Sequence, residues 1–248
     1  KTSKRPSGKT SKGRTRRPPT IAPSLSPKPM QEIFDFLTDI AAHNDRQWFA
    51  DNRARYDAAH AAFTALAAEV KDHVAAFDPE VSAVAVKDTL YRFYRDTRFS
   101  ADKSPYKRHF GTYINTRGKK SLHGGYYLHI EPGHCMIAVG AYCLPSDVLR
   151  AVRSSIVAQP ETFHALLTEP RLAALKPRLG ETHLKTVPAG FPRDFIYPEY
   201  LRPREYDLSI DIDDAFCFAP DFAQRTADVL RLMKPFLDFV NDTVDDYI

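Results

Sequence analysis

Residues 126–143 read YYLHIEPGHCMIAVGAYC, and this stretch decides the fold. Two runs of period-two alternation flank Pro132-Gly133, which is the pattern of a β-hairpin with a tight turn. With Pro132 and Gly133 as the loop, Glu131 pairs with His134 and Ile130 with Cys135. One face then carries Tyr126, Leu128, Ile130, Cys135, Ile137, Val139, Ala141 and Cys143, an apolar set that reads as the core side. The other carries Tyr127, His129, Glu131, His134, Met136, Gly140 and Tyr142. Because side chains alternate with a period of two, a slip of one residue would drive the histidines into the core, so the pattern fixes the register. The two hairpin cysteines are expected to be inert packing residues.

The chain just upstream, Leu90–Tyr113, reads LYRFYRDTRFSADKSPYKRHFGTY and interleaves charge with aromatic rings. Aromatic side chains favour burial and arginines favour water, so their crowding points to charge held in a defined, partly buried place. Leu90–Asp96 alternates as a strand, with Tyr91 and Phe93 on one face and Arg92, Tyr94 and Asp96 on the other. Ser100–Tyr106 reads as a turn or short helix, and His109–Asn115 as a further strand with Phe110 and Ile114 inward. Tyr206–Ile212, YDLSIDI, alternates in the same way.

Helices flank these strands. Ile33, Phe34, Leu37 and Ile40 recur at helical spacing, and Asn44-Asp45 marks a break and an N-cap. Arg46–Phe77 then reads as one long helix or two in succession, with Phe49, Tyr56, Phe63, Leu66, Val70 and Val74 on its buried stripe. Helices are expected after Leu144-Pro145, from Pro160, and over Leu172–Leu179, before an irregular proline-rich passage from Gly180 to Pro203. Phe222, Val229, Leu230, Phe236, Leu237 and Val240 mark a long C-terminal amphipathic helix. The fold class expected is α+β, a central mainly antiparallel sheet flanked by N-terminal and C-terminal helices, in one domain over residues 30–248.

Charge is unevenly spread along the chain. Nine of the 35 basic residues and none of the 31 acidic ones lie in residues 1–29, so the formal net charge of +4 hides an acidic body. Within that body, residues 92–120 hold nine basic residues against Asp96 and Asp102 alone. The first 29 residues have almost no apolar content and are expected to form a disordered basic tail, with nucleic acid as a candidate partner. No run approaches the ~18 apolar residues that a membrane-spanning helix needs. Three cysteines without CxxC spacing fit a reducing compartment, and the expected location is cytoplasmic.

Phosphate-loop, dinucleotide, zincin and nucleophile-elbow motifs are all absent. The polar faces of the strands therefore supply the candidate site. Arg92, Arg95, Arg98, Lys103, Lys107, Tyr113 and Tyr127 are the candidate ligand-binding residues, because guanidinium forks and ammonium groups match phosphate or carboxylate. Asp96, His109 and His129 are the candidate acid–base groups. Arg92 and Asp96 are expected to orient each other. The histidine spacing is not diagnostic of a metal, so no metal site is expected, and the residues name no cofactor.

Lys87–Ile114, KDTLYRFYRDTRFSADKSPYKRHFGTYI, together with GGYYLHIEPG (Gly124–Gly133), NDRQWFADNRARY (Asn44–Tyr56) and LKTVPAGFP (Leu184–Pro192), resembles the conserved-hypothetical family of domain of unknown function 2461. The resemblance covers most of Met30–Ile248 and supplies no catalytic assignment for any position. The residues themselves point to binding of an anionic, phosphate-bearing small molecule. The competing readings are a hydrolase or transferase using Asp96, His109 and His129 in the same pocket, a nucleic-acid-associated protein using the tail, and a purely structural ion-pair network.

Overall fold

The hairpin takes the register that its alternation dictates. In a computed structural model, which describes residues 27–248, strands β2 (Gly125–Ile130) and β3 (Cys135–Ala141) pair antiparallel with Leu128 opposite Ile137 and His129 opposite Met136. They sit within a five-stranded antiparallel sheet that also holds β1 (Phe110–Ile114), β4 (Arg178–Leu179) and β5 (Tyr206–Ile212), in the order β1-β2-β3-β5-β4.

Before the sheet come helices α1 (Pro27–Ala42), α2 (Arg46–Asp51), α3 (Arg53–Ala75) and α4 (Val86–Thr89). After β3 come α5 (Ser146–Ala158), α6 (Pro160–Thr168) and α7 (Pro170–Ala173), and after β5 come α8 (Asp214–Cys217) and α9 (Phe222–Tyr247). The fold is α+β, as the alternation of strand and helix periods indicates. Asp45 caps α2 by accepting a hydrogen bond from the Trp48 N–H at 2.8 Å. Asn52 leaves helical geometry at φ −107°, ψ 18°, which divides α2 from α3.

Helices α1, α3 and α9 stack on one face of the sheet. Tyr126, Leu128 and Ile130 of β2 meet Leu230, Phe236 and Leu237 of α9 and Phe63 and Leu66 of α3 in a single contiguous apolar cluster. Burial of this face stabilises the molecule by removing apolar area from water, and it leaves the other sheet face to take up polar groups. No helix among the described residues is long and apolar enough to cross a membrane.

Three local expectations fail for identifiable reasons. Leu90–Asp96 is not a strand of the sheet: it meets the rest only through isolated bridges, Leu90 with Thr112 and Tyr94 with Tyr106. Its chain folds back on itself, the Arg95 N–H donating to the Pro105 carbonyl and the Lys107 N–H to the Phe93 carbonyl, and Pro105 has no N–H with which to extend a ladder. Leu172–Leu179 is helical only to Ala173, because Pro177 follows Lys176 at φ +52° and turns the chain into edge strand β4. Cys143, placed by alternation on the core face, is exposed at φ +60°. The turn at that residue resets the alternation, so Leu144 takes the buried position. The tail expected over residues 1–29 lies outside the described residues except for its last three, which open α1.

Candidate functional site

The sheet face turned away from the helices floors a cleft of about 910 Å³. Tyr127 and His129 line it because they are spaced by two along β2, with Glu131 following just past the strand's end, and the pairing of Gly111 with His129 and of Tyr113 with Tyr127 brings β1 alongside. Gly111 makes room there: a Cβ at that position would lie 2.9 Å from the Tyr127 hydroxyl.

These side chains form a connected polar row. The Tyr127 hydroxyl lies 2.8 Å from His129 Nδ1, and His129 Nε2 lies 3.2 Å from Glu131 Oε2. His109 stacks on His129 with ring centroids 4.1 Å apart, and its Nδ1 is 3.7 Å from the same Glu131 oxygen. Burial, helped by the charges of His129 and Lys107, pushes the His109 imidazole down to about 3. Burial also lowers His129, against the pull of Glu131. Both imidazoles are therefore neutral at neutral pH, and their contacts with Glu131 are hydrogen-bonding or dipolar rather than true ion pairs. Burial raises the Tyr113 phenol to about 12, and its hydroxyl donates to the Gly140 carbonyl at 3.1 Å.

Two cations stand over one aromatic ring at the cleft wall. Lys107 Nζ lies 5.1 Å and Lys119 Nζ 5.4 Å from the centroid of Tyr91, whose ring meets Tyr127 edge-on. Lys119 donates to the Leu90 carbonyl at 2.6 Å. Among the described residues neither ammonium pairs with a carboxylate. Burial first, and then the charges of Arg92 and Lys119, lower the Lys107 ammonium. The far end of the cleft is acidic. Arg178 is taken up by a bidentate pairing with Asp211. Burial and the neighbouring charge of Glu205 raise the Asp207 carboxyl to about 6, and its Oδ1 has no hydrogen-bond partner among the described residues.

A second hydrogen-bonded chain enters the same cleft through Ser121. Its Oγ lies 3.0 Å from His123 Nδ1, and His123 Nε2 lies 2.8 Å from Asp245 Oδ1. Ser121 Oγ also accepts the His123 backbone N–H at 3.1 Å. His123 is buried, with Asp245 reaching it from the last turns of α9.

Of the residues singled out from sequence, Lys107, His109, Tyr113, Tyr127 and His129 line the cleft together. Arg92, Arg95, Asp96, Arg98 and Lys103 do not. Arg95 pairs with Asp102 and donates to the Ser104 carbonyl at 3.2 Å. Asp96 pairs with Arg98, at 2.7 Å, rather than with Arg92. Lys103 donates to the Thr97 carbonyl at 3.0 Å, and Arg92 is exposed. Hydrogen bonds from the Arg98 side chain and backbone hold the Asp96 carboxyl below the usual range, so it is an anion at neutral pH with no proton to give. The charged turn is therefore pinned by its own acids, and the two cations of the cleft wall, Lys107 and Lys119, both follow it in the chain.

Sequence reasoning missed Tyr91 and Lys119 as a pair, and also Ser121, Arg178 and Asp207, and it placed Glu131 on the polar face beside His129 without naming it a site residue. Two of these had a usable signal. Glu131 follows His129 by two residues, and Asp207, Ser209 and Asp211 alternate onto one face of YDLSIDI, which pairing with β3 turns toward the cleft.

No curated protein and no solved structure matches the chain. The sequence model of the family described as "Conserved hypothetical protein (DUF2461)" matches residues 32–239, which runs from within α1 through most of α9 and includes every residue that lines the cleft. The chain therefore belongs to the conserved hypothetical DUF2461 family.

Proposed function

We propose that the cleft binds a small anionic molecule bearing phosphate or a comparable oxyanion, held chiefly by Lys107 and Lys119. One observation carries this reading: two ammonium groups share the Tyr91 ring without a carboxylate between them. The charge of Lys119 already weighs on the Lys107 ammonium, and an anion bound by both relieves that repulsion while it gains charge-assisted hydrogen bonds. Neutral His109 and the Tyr113 and Tyr127 hydroxyls supply further polar contacts on the cleft floor. Arg95 and Arg98, which already hold Asp102 and Asp96, have no part in it.

The test is calorimetric titration with pyrophosphate and with adenosine monophosphate, at low and at high salt. Lys107→Ala and Lys119→Ala should each weaken binding by about tenfold or more, as loss of one charge-assisted contact implies. Arg95→Ala and Arg98→Ala should bind as the wild type does. Unchanged affinity in a Lys107→Ala/Lys119→Ala double variant, or salt-insensitive binding, refutes the reading.

A hydrolase or transferase is the second reading, and the Ser121–His123–Asp245 chain favours it. With Nε2–H donating to Asp245, Nδ1 is left to accept the Ser121 proton, which is the protonation pattern an activated serine requires. Covalent labelling by a fluorophosphonate that disappears in Ser121→Ala supports it, and absence of labelling removes it. The nucleic-acid reading depends on residues 1–29, and no observation on the described residues favours it.

A further inference from the structure

We propose that His109, His129 and Glu131 form a binding site for one divalent transition-metal ion of the zinc and iron(II) class, open to the cleft. The proposal does not rest on anion binding. Its basis is the donor set: one ring nitrogen of His109, one of His129 and a Glu131 carboxylate oxygen all lie within 4.8 Å of one another. Metal–ligand bonds of ~2.0–2.1 Å place neighbouring donors about 3.0–3.4 Å apart. The two imidazole-to-carboxylate distances are 3.2 Å and 3.7 Å, so small side-chain rotations close the site.

Two imidazoles and one carboxylate are the donors of a borderline metal rather than of magnesium or calcium, which prefer oxygen throughout. Three protein donors on one side leave the remaining positions for water or an oxygen of a bound molecule. Here those positions face the cleft, because His109 and His129 both line it and Glu131 lies against the two rings at its edge.

The outer contacts match what a metal-ligating histidine needs. His129 meets Glu131 through Nε2, and its Nδ1 lies 2.8 Å from the Tyr127 hydroxyl, which fixes the ring orientation when Nδ1–H donates to it. Tyr127 is thus a positioning residue. The Glu131 carboxylate has only the two imidazoles as side-chain partners among the described residues. The strands also preset the approach of the rings, since the chain of β1 runs alongside β2 and the His109 ring stacks on His129 with centroids 4.1 Å apart. A hydrogen-bonded row with no metal would need only one imidazole against Glu131. The second ring, stacked and aimed at the same oxygen, is what the metal explains.

The experiment uses the full chain, stripped with a chelator and desalted, then titrated with cobalt(II) while its visible d–d absorption is followed, and with zinc(II) by calorimetry. The expected result is one ion per chain, with no comparable binding of magnesium. Glu131→Gln keeps the side-chain shape and should weaken binding by more than about tenfold, and Tyr127→Phe should weaken it by about 10–100-fold. His109→Ala should abolish the cobalt spectrum while thermal unfolding shows it folded. Arg98→Ala, outside the cleft, should bind cobalt normally, and a wild-type chain that takes metal but not pyrophosphate loses only the anion reading. Absence of stoichiometric binding, or binding that Glu131→Gln and His109→Ala leave unchanged, overturns the site.

Discussion

Replacing Asp207 by asparagine should make the protein more stable at neutral pH and less so, by comparison, as the solution is acidified. Asp207 projects from β5 into the cleft, with one carboxylate oxygen unpartnered among the described residues, and burial together with Glu205 raises it from 3.8 to about 6. A folded-state value above the unfolded one means that the native protein holds the proton more tightly. Its ionisation therefore costs stability as pH rises from about 4 to about 6, and the whole cost is present above that. At about 1.4 kcal/mol for each tenfold difference, the ceiling is roughly 3 kcal/mol at pH 7. The cleft admits some solvent and Arg178 pulls in the opposite direction, so about 1–2 kcal/mol is the expected gain. Urea unfolding of wild type and Asp207→Asn at several pH values between about 4 and 7 measures it, with the slope against urea unchanged between the two proteins. The two stabilities should converge toward about pH 4. Equal stability at every pH, or an advantage that grows on acidification, would refute the reasoning. A carboxylate kept at a net cost on a cleft floor is what a functional site, rather than a stability-optimised sheet, would retain.

Two further predictions concern the frame that presents the cleft. Gly140 has φ +123°, and a Cβ there would come within 2.4 Å of the Tyr206 carbonyl oxygen and 2.6 Å of Asp207 Cα. Gly140→Ala should cost about 3 kcal/mol or more in urea unfolding, because strained backbone and a close β3–β5 approach are both violated; a loss below about 1 kcal/mol would show that the strands can part without cost. Phe36 on α1 is 1% exposed and stacks on Phe110 of β1 with centroids 6.2 Å apart. Phe36→Ala should cost about 3–5 kcal/mol in the same assay, and a much smaller loss would mean that Tyr56 and Phe93 collapse into the space.

Much of the fold was legible because its signals are local. The hairpin register follows from the period of two and one turn, since only one pairing keeps Tyr126, Leu128 and Ile130 on the side of Ile137 and Val139. The stripes on α1, α3 and α9 follow from helical spacing in the same way. The sequence also brought His109, His129, Tyr113 and Tyr127 to one face, because alternation on two neighbouring strands determines it. Where local pattern failed, a backbone event intervened: a proline at 177, a positive φ at Cys143, and a chain that doubles back at Pro105.

Which cations are free was not a local question. Arg95, Arg98, Lys107 and Lys119 look alike as letters, and a basic run of residues gives each the same claim on an anion. Only the path of the loop decides that Arg98 curls onto Asp96 and Arg95 reaches Asp102, while Lys107 and Lys119 converge on Tyr91 from positions twelve residues apart. Charge is a property of the residue, but its availability depends on the distance to the nearest opposite charge, and across a turn that distance is set by tertiary structure. The same holds for His109, His129 and Glu131. Their presence on polar strand faces was readable from alternation, whereas their convergence within bonding range of one point depends on strand pairing and side-chain rotation, which the fold alone supplies.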